Sequence, residues 1–152
     1  MKQTAKPQTS DSMIRHNVAG LLVLLVVQFI VGMYLNFYTE LPDSHPGTSG
    51  SFAPSIPWVL ANHAGLALVI HVIVWILLTV GGIAVLVRAI LSRRKAYIVG
   101  SSVGFLFILM AGSGGLSFLN RGGADKDSFM MAIGFIVALV AYGVTFYKTS
   151  SK

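Results

Sequence analysis

Long apolar runs separated by short polar segments dominate the pattern of residues along this chain. A helix needs about 20 predominantly apolar residues to cross the hydrocarbon core of a bilayer. Four runs reach that length, and they cover residues 18–38, 58–87, 97–118 and 129–147. The pattern therefore predicts an all-α fold, an integral membrane four-helix bundle that forms a single domain over residues 1–152.

The segments outside these runs differ in composition. Residues 39–57 contain four prolines and two glycines, which interrupt regular structure, so we expect an irregular outer loop that caps one face of the bundle. Residues 1–12 are largely polar and are expected to form a disordered leader. The first apolar run is longer than the core of a signal peptide and lacks a convincing cleavage site, so we interpret it as a retained anchor.

Basic residues are distributed unevenly between the two sides that this topology creates. Nine of the eleven lysines and arginines lie in the N-terminal segment, in the 88–96 loop and in the C-terminal tail. The other two, Arg121 and Lys126, lie in the 119–128 loop, and the 39–57 and 119–128 loops together carry four of the five carboxylates. Because cytoplasmic segments are enriched in Lys and Arg, the sequence predicts a plasma (inner) membrane protein with both termini in the cytoplasm.

Composition agrees with a membrane protein and excludes several other classes. The chain is 55% hydrophobic and 11% charged, whereas a soluble domain carries about a quarter charged residues. The sequence pI of about 9.9 follows from the topology of the basic residues and does not indicate nucleic-acid binding. The chain has no cysteine, which excludes disulfides, thiolate nucleophiles, iron–sulfur clusters and cysteine-ligated zinc.

The interiors of the predicted spans contain few polar residues. No Asp, Glu, Lys or Arg falls within their hydrocarbon portions, which argues against proton-coupled transport, cation exchange and intramembrane proteolysis. No metalloprotease, catalytic-triad or phosphate-loop motif is present. The side chains that remain as candidates for chemistry are His63, His71 and Gln28.

Two histidines in the stretch "ANHAGLALVIHV" are the candidate ligands of a heme b. On one continuous helix, His63 would lie near the outer interface and His71 about 12 Å deeper, roughly 80° around the axis. The two could not ligate one iron from opposite faces, so a second axial ligand would come from elsewhere, such as Met110. Gln28 is expected near mid-membrane, at the depth of His71. The alternative is that each histidine only hydrogen-bonds Gln28, Ser113 or a backbone carbonyl.

A second candidate site lies on the outer surface. His45 in "LPDSHPG" could join Asp43 and His63, and two histidines with a carboxylate are acceptable ligands for zinc or copper. Turn chemistry explains the same Pro-Asp-Ser and His-Pro-Gly residues without a metal. Both interpretations remain open at this point.

The third span is rich in small residues. Gly100 and Gly104 form a GxxxG pair, and Gly134 and Ala138 offer a matching face on the fourth span. Small residues let helix backbones approach closely and so favour helix packing in lipid.

The order of these features resembles a known family. "VVQFIVGM" is followed by the outer "LPDSHPG", the histidine-bearing "NHAGLALVIHV", an inner "SRRK" turn and a glycine-rich helix. This order resembles one four-helix half of the heme A synthase family, and it is similar to small b-type four-helix membrane cytochromes and to four-span actinobacterial proteins of unknown role. The resemblance implies a heme-binding bundle. It does not imply heme A synthesis, because the fourth span lacks a histidine and Asn62 replaces the acidic residue of the catalytic half.

Two functions follow from these observations. The first is a small membrane cytochrome that binds one heme b through His71 or His63 and exchanges electrons with quinone or a membrane protein partner. The alternative is a non-catalytic subunit or assembly factor of a larger complex, which the glycine face and the lack of a complete active site favour. A homodimer would bring histidines from two copies together, which one chain cannot do.

Overall fold

The computed structural model describes residues 8–42, 44–48, 54–121 and 123–150. Within them the chain forms five helices: α1 (Gln8–Tyr38), α2 (Ser55–Leu60), α3 (Leu66–Ser92), α4 (Lys95–Asn120) and α5 (Asp125–Ser150). Helices α1, α3, α4 and α5 are long and apolar enough to cross a membrane, and the described ranges contain no strand. The predicted all-α fold with four helices of spanning length is confirmed.

The four long helices form a ring in which α1 packs on α3, α3 on α4, α4 on α5 and α5 on α1. Within the described residues, the backbones of the diagonal pairs, α1 with α4 and α3 with α5, do not approach each other. Only Arg93 and Arg94 connect α3 to α4, and Arg93 takes the left-handed conformation with a φ of 55°. We name this side of the bundle the hairpin end. The opposite side, which carries α2 and the ends of α4 and α5 that Arg121 and Ala124 adjoin, is the capped end.

Small residues bring α4 and α5 into close contact. A methyl group added to Gly104 would lie 2.6 Å from the ring of Tyr142, and one added to Gly134 would lie 2.8 Å from the methyl group of Ala111. Carbon atoms of real side chains do not approach so closely, so only glycine fits at both positions. The glycine face that the sequence predicted is therefore used inside this chain, between α4 and α5, and needs no partner protein.

The second predicted span, residues 58–87, is interrupted, so the prediction of one continuous helix there was wrong. Residues 61–65 separate α2 from α3. Within this turn Asn62 has a φ of 63° and Gly65 a φ of 88°, and asparagine and glycine are the residues that tolerate such positive φ best. His63 therefore lies in an exposed turn and not inside a spanning helix.

The N-terminal leader is more regular than predicted. Its described part, residues 8–12, belongs to α1, so the prediction of disorder over residues 1–12 was wrong there, and residues 1–7 lie outside the described part. Extending a helix that has already formed gains one hydrogen bond for each residue fixed, so a polar sequence can continue a spanning helix. His16 contributes by donating from Nδ1 to the Ser12 carbonyl oxygen at 2.7 Å.

Two apolar clusters hold the bundle together at its two ends. The last part of the predicted outer loop forms α2, whose Val59 is fully buried and packs with Leu68, Val72 and Leu119 at the capped end. A larger cluster fills the hairpin end, and its buried members are Ile14, Val18, Leu21, Leu25, Val74, Leu78, Val85, Ala89, Tyr97, Ile108, Ala138 and Tyr142. The space between these two clusters is where the candidate site lies.

Candidate functional site

A cavity of about 500 Å³ separates the two apolar clusters. This volume is in the range of about 300–1,000 Å³ that is usual for small-molecule and cofactor sites. On the side of the hairpin end it is bordered by Leu25, Leu78, Ile108 and Ala138. On the side of the capped end it is bordered by Leu41, Ile56, Leu68 and Leu119.

Small residues line the cavity, and two of them accommodate side chains of α3, since His71 packs against Gly32 and Trp75 against Gly112. Helix α1 contributes Gly32 to the wall, and α4 contributes Ala111, Gly112 and Gly115. Side chains this small cannot fill the distance between helices that do not touch. The remaining wall is almost entirely aliphatic and aromatic, which makes the cavity suited to an apolar molecule.

Gln28 of α1 and His71 of α3 form a polar pair in this apolar wall. The Nε2 of Gln28 lies 2.9 Å from the Nε2 of His71, so the amide as oriented here donates to the ring, and the ring proton is then on Nδ1. The contact that the sequence predicted between these two residues is present. Among the described residues that line the cavity, His71 is the one with a titratable side chain.

Three polar atoms of the wall are buried without a hydrogen-bond partner. Seven such side-chain atoms occur in the described residues, and three of them, Gln28 Oε1, His71 Nδ1 and Trp75 Nε1, belong to residues that line the cavity. Each such atom costs about 1–3 kcal/mol when its hydrogen bond is not made, and native proteins leave few of them. The indole nitrogen of Trp75 lies against Gly112 of α4, and Nδ1 of His71 lies near Gly32 of α1, so polar groups without partners are concentrated in the side chains around this cavity.

Several residues of the site were not predicted from the sequence. Trp75 carries a signal that could have identified it, because it follows His71 by four residues and so lies one turn further on the same face of α3. Phe29 and Phe135 also line the cavity and stack with ring centroids 4.9 Å apart, across the contact of α1 with α5. Aromatic residues are common in apolar spans, so nothing in the sequence distinguishes these two.

The other two candidate heme ligands do not border the cavity as described. His63 lies in the turn between α2 and α3, so the depth and angle predicted for it relative to His71, which assumed one continuous helix, were wrong. Met110 lies on α4 but is not among the residues that line the cavity, whereas Met33 of α1 and Met131 of α5 are.

His45 closes the capped end of the bundle. Its Nε2 donates to the carbonyl oxygen of Leu119 at 2.9 Å, and its ring stacks on Trp58 with ring centroids 4.4 Å apart. His63 stacks on the same indole at 6.3 Å. The Leu119 carbonyl is one of the last four of α4, which have no partner within the helix. His45 therefore caps α4 and holds the outer loop over the cavity.

The outer metal site predicted from His45, His63 and Asp43 stays a prediction. Asp43 lies outside the described residues, and within those described no three His, Asp or Glu side chains are grouped to hold a metal ion. In this conformation both ring nitrogens of His45 contact backbone carbonyl oxygens, since Nδ1 lies 3.1 Å from that of Pro46. The observed contacts of His45 are those of a helix cap.

Comparisons with protein families, with curated proteins and with solved structures find no match to this chain. The resemblance to the heme A synthase family and to b-type cytochromes therefore stays a prediction. The function has to be inferred from the cavity and its polar residues.

Proposed function

We propose that this protein is an integral membrane protein that binds one redox cofactor with an apolar body in the cavity between its long helices. The observation that carries the proposal is the Gln28–His71 pair, with a 2.9 Å contact in a largely apolar wall. Polar and ionisable groups inside membrane spans are costly and mark functional sites. A pair that only joined α1 to α3 would not need a cavity of about 500 Å³ beside it.

The proposal includes an orientation, with the hairpin end in the cytoplasm and the protein in the plasma membrane. Basic residues are concentrated at the hairpin end, and the described ones are Arg15, Arg88, Arg93, Arg94, Lys95 and Lys148. At the capped end, Arg121 lies 3.8 Å from Asp127, so a carboxylate offsets this positive charge. Because Lys and Arg are enriched on the cytoplasmic side, the cavity would then lie closer to the outer leaflet.

Heme b is the cofactor that the sequence favours, with His71 as axial ligand, and bound heme would supply one-electron chemistry. The described residues do not fit it well. His71 is held at Nε2 by Gln28, and no lysine or arginine among the described residues lines the cavity to pair with the propionates. Heme b is therefore one outcome of the test below and carries no further step here.

The test is to purify the protein in mild detergent from cells supplied with heme, then record its absorption spectrum and analyse its organic extract by mass spectrometry. The variants are His71→Leu and Gln28→Leu. The matched control is His63→Leu, which makes the same change in an exposed turn. We expect a bound apolar cofactor in the wild type and in His63→Leu, and its loss in the two cavity variants.

Each outcome decides between the candidates. A Soret band that disappears in His71→Leu would establish the cytochrome. A colourless extract containing a different apolar cofactor would support the proposal without heme. A wild type without any bound cofactor would overturn the proposal, and the alternative of a non-catalytic subunit would then be tested by its migration on blue-native gels.

A further inference from the structure

We propose that the ligand of this cavity is a quinone, one of whose carbonyl oxygens accepts a hydrogen bond from His71. The inference rests on the proposed function, because it names the chemical class of the ligand for the same cavity. Four properties of the described wall carry it: an unpartnered hydrogen-bond donor, the absence of positive charge, aromatic neighbours and an opening towards lipid.

The donor follows from the Gln28–His71 pair. Because the amide of Gln28 donates to Nε2 of His71 at 2.9 Å, the ring proton lies on Nδ1, which is buried without a partner. The indole Nε1 of Trp75 is also unpartnered, but it lies against Gly112 of α4, so the donor assigned to the ligand is Nδ1 of His71. A carbonyl oxygen of a quinone would accept this hydrogen bond.

The charge of the wall selects a neutral ligand. Within the described residues, no lysine or arginine lines the cavity, and an unpaired carboxylate or phosphate is very costly in an apolar medium. Fatty acids, phospholipid head groups and other anions are therefore disfavoured. A carbonyl oxygen accepts a hydrogen bond without carrying a charge, so a quinone meets the requirement.

The aromatic residues suit a planar ring. Phe29, Phe135 and the indole of Trp75 all line the cavity, and aromatic faces prefer offset-stacked or edge-to-face neighbours. A flat ring packed against the Phe29–Phe135 stack and the indole would bury its faces, while an edge oxygen reaches α3.

The opening of the cavity suits an apolar tail. Three residues that line it, Phe29, Met33 and Phe129, are also exposed on the outside of the bundle, at 47%, 39% and 69%. They belong to α1 and α5, so the mouth lies between these two helices and faces the lipid. A quinone with its ring inside would extend its hydrocarbon tail through this mouth into the bilayer. Nδ1 of His71 is covered in the structure, so we expect side chains of the wall to shift when the ring enters.

The experiment uses the intact protein in lipid nanodiscs with decylubiquinone as the probe. The chain has two tryptophans, and Trp58→Phe leaves Trp75 as the reporter, because a quinone quenches the fluorescence of a nearby indole. We expect saturable quenching in this background. It should weaken about tenfold in His71→Leu and in the double variant Gln28→Leu/His71→Leu, the effect of one lost hydrogen bond. His63→Leu should not change it.

The double variant is expected to keep its fold, because it removes both members of the polar pair and leaves neither one unpartnered in an apolar wall. Its circular dichroism and elution volume should match those of the wild type. Equal quenching in the double variant and the wild type would overturn the assignment of the carbonyl contact.

Decylbenzene has the same tail and no carbonyl. It therefore distinguishes failure of the quinone inference from failure of the proposed function. If it displaces the quinone with equal affinity, the cavity binds apolar molecules but the quinone inference is wrong. If neither compound binds saturably and the purified protein carries no cofactor, the proposed function fails as well.

Discussion

Gly32 sets the position of the imidazole on which the candidate site depends. A methyl group at this position would lie 3.1 Å from Cε1 and 3.7 Å from Nδ1 of His71, which is tighter than ordinary contact for the first of these atoms. Because Gly32 has no side chain, the ring of His71 can pack against α1. There it reaches Gln28, which lies one turn before Gly32 on α1.

We predict that Gly32→Ala weakens quinone binding about fivefold, or about 1 kcal/mol, because the ring of His71 must shift by a few tenths of an ångström. The measurement is the same fluorescence titration. Gly20→Ala is the matched control on α1, since an added methyl group there meets no atom within 4 Å. Equal affinities for the two variants would show that Gly32 does not position His71.

Sequence reasoning was most successful for residues that are rare in their surroundings. Gln28 and His71 could be paired because each is a strongly polar group in an apolar run, and their distances from the ends of the runs place them at similar depths. Gly32 and Phe135 could not be identified, because glycine and phenylalanine are ordinary in membrane helices. Their role depends on which helices become neighbours, and a single span does not contain that information.

The turn at residues 61–65 shows why hydropathy overestimates helix length. Apolar composition continues from Trp58 through this turn into α3, so a pattern based on polarity alone finds one span. The break depends on backbone conformation at Asn62 and Gly65, which both have positive φ. The Asn-x-x-Gly pattern of residues 62–65 is the signal for this break in the sequence.

The contact between α4 and α5 gives a prediction at the level of helices. Gly104→Ala should destabilise the bundle by about 1–3 kcal/mol, the usual effect of overpacking, because the new methyl group would lie 2.6 Å from the rigid ring of Tyr142. Thermal unfolding in detergent, followed by circular dichroism, measures this.

Gly143→Ala is the control on the facing helix. Nothing lies within 4 Å of a methyl group added there, and alanine has a helix propensity about 1 kcal/mol better than glycine, so its melting temperature should stay equal or rise. A melting temperature of Gly104→Ala that equals that of Gly143→Ala would contradict the tight packing of α4 on α5.

For the molecule as a whole, the number of spanning-length helices was predictable, but their ring order was not. Four long apolar runs indicate four helices, and the connections of α3 to α4 and of α4 to α5 are short enough to make those pairs neighbours. The contact of α1 with α5 joins elements far apart in the sequence. It depends on side chains such as Phe29 and Phe135 meeting across the seam, which no local pattern encodes.

The orientation can be tested because the chain has no cysteine. We predict that Ser12→Cys, at the hairpin end, is protected from a membrane-impermeant maleimide in intact cells and reacts only after permeabilisation. Ser44→Cys, at the capped end, should react with the maleimide in intact cells, without permeabilisation. Both serines are exposed, so a difference between them reports the side of the membrane. The opposite labelling pattern would reverse the proposed topology.

The ring order also has a consequence for biosynthesis. The wall of the cavity is completed by Met131 and Phe135 of α5, which leaves the ribosome after the other three long helices. While α1, α3 and α4 enter the membrane, the Gln28–His71 pair can form, but the side that faces α5 is still lipid. Under the proposed function, loading of the cofactor must therefore follow insertion of α5, and a chain arrested before that helix would expose a half-built polar site to the translocation machinery and its quality control.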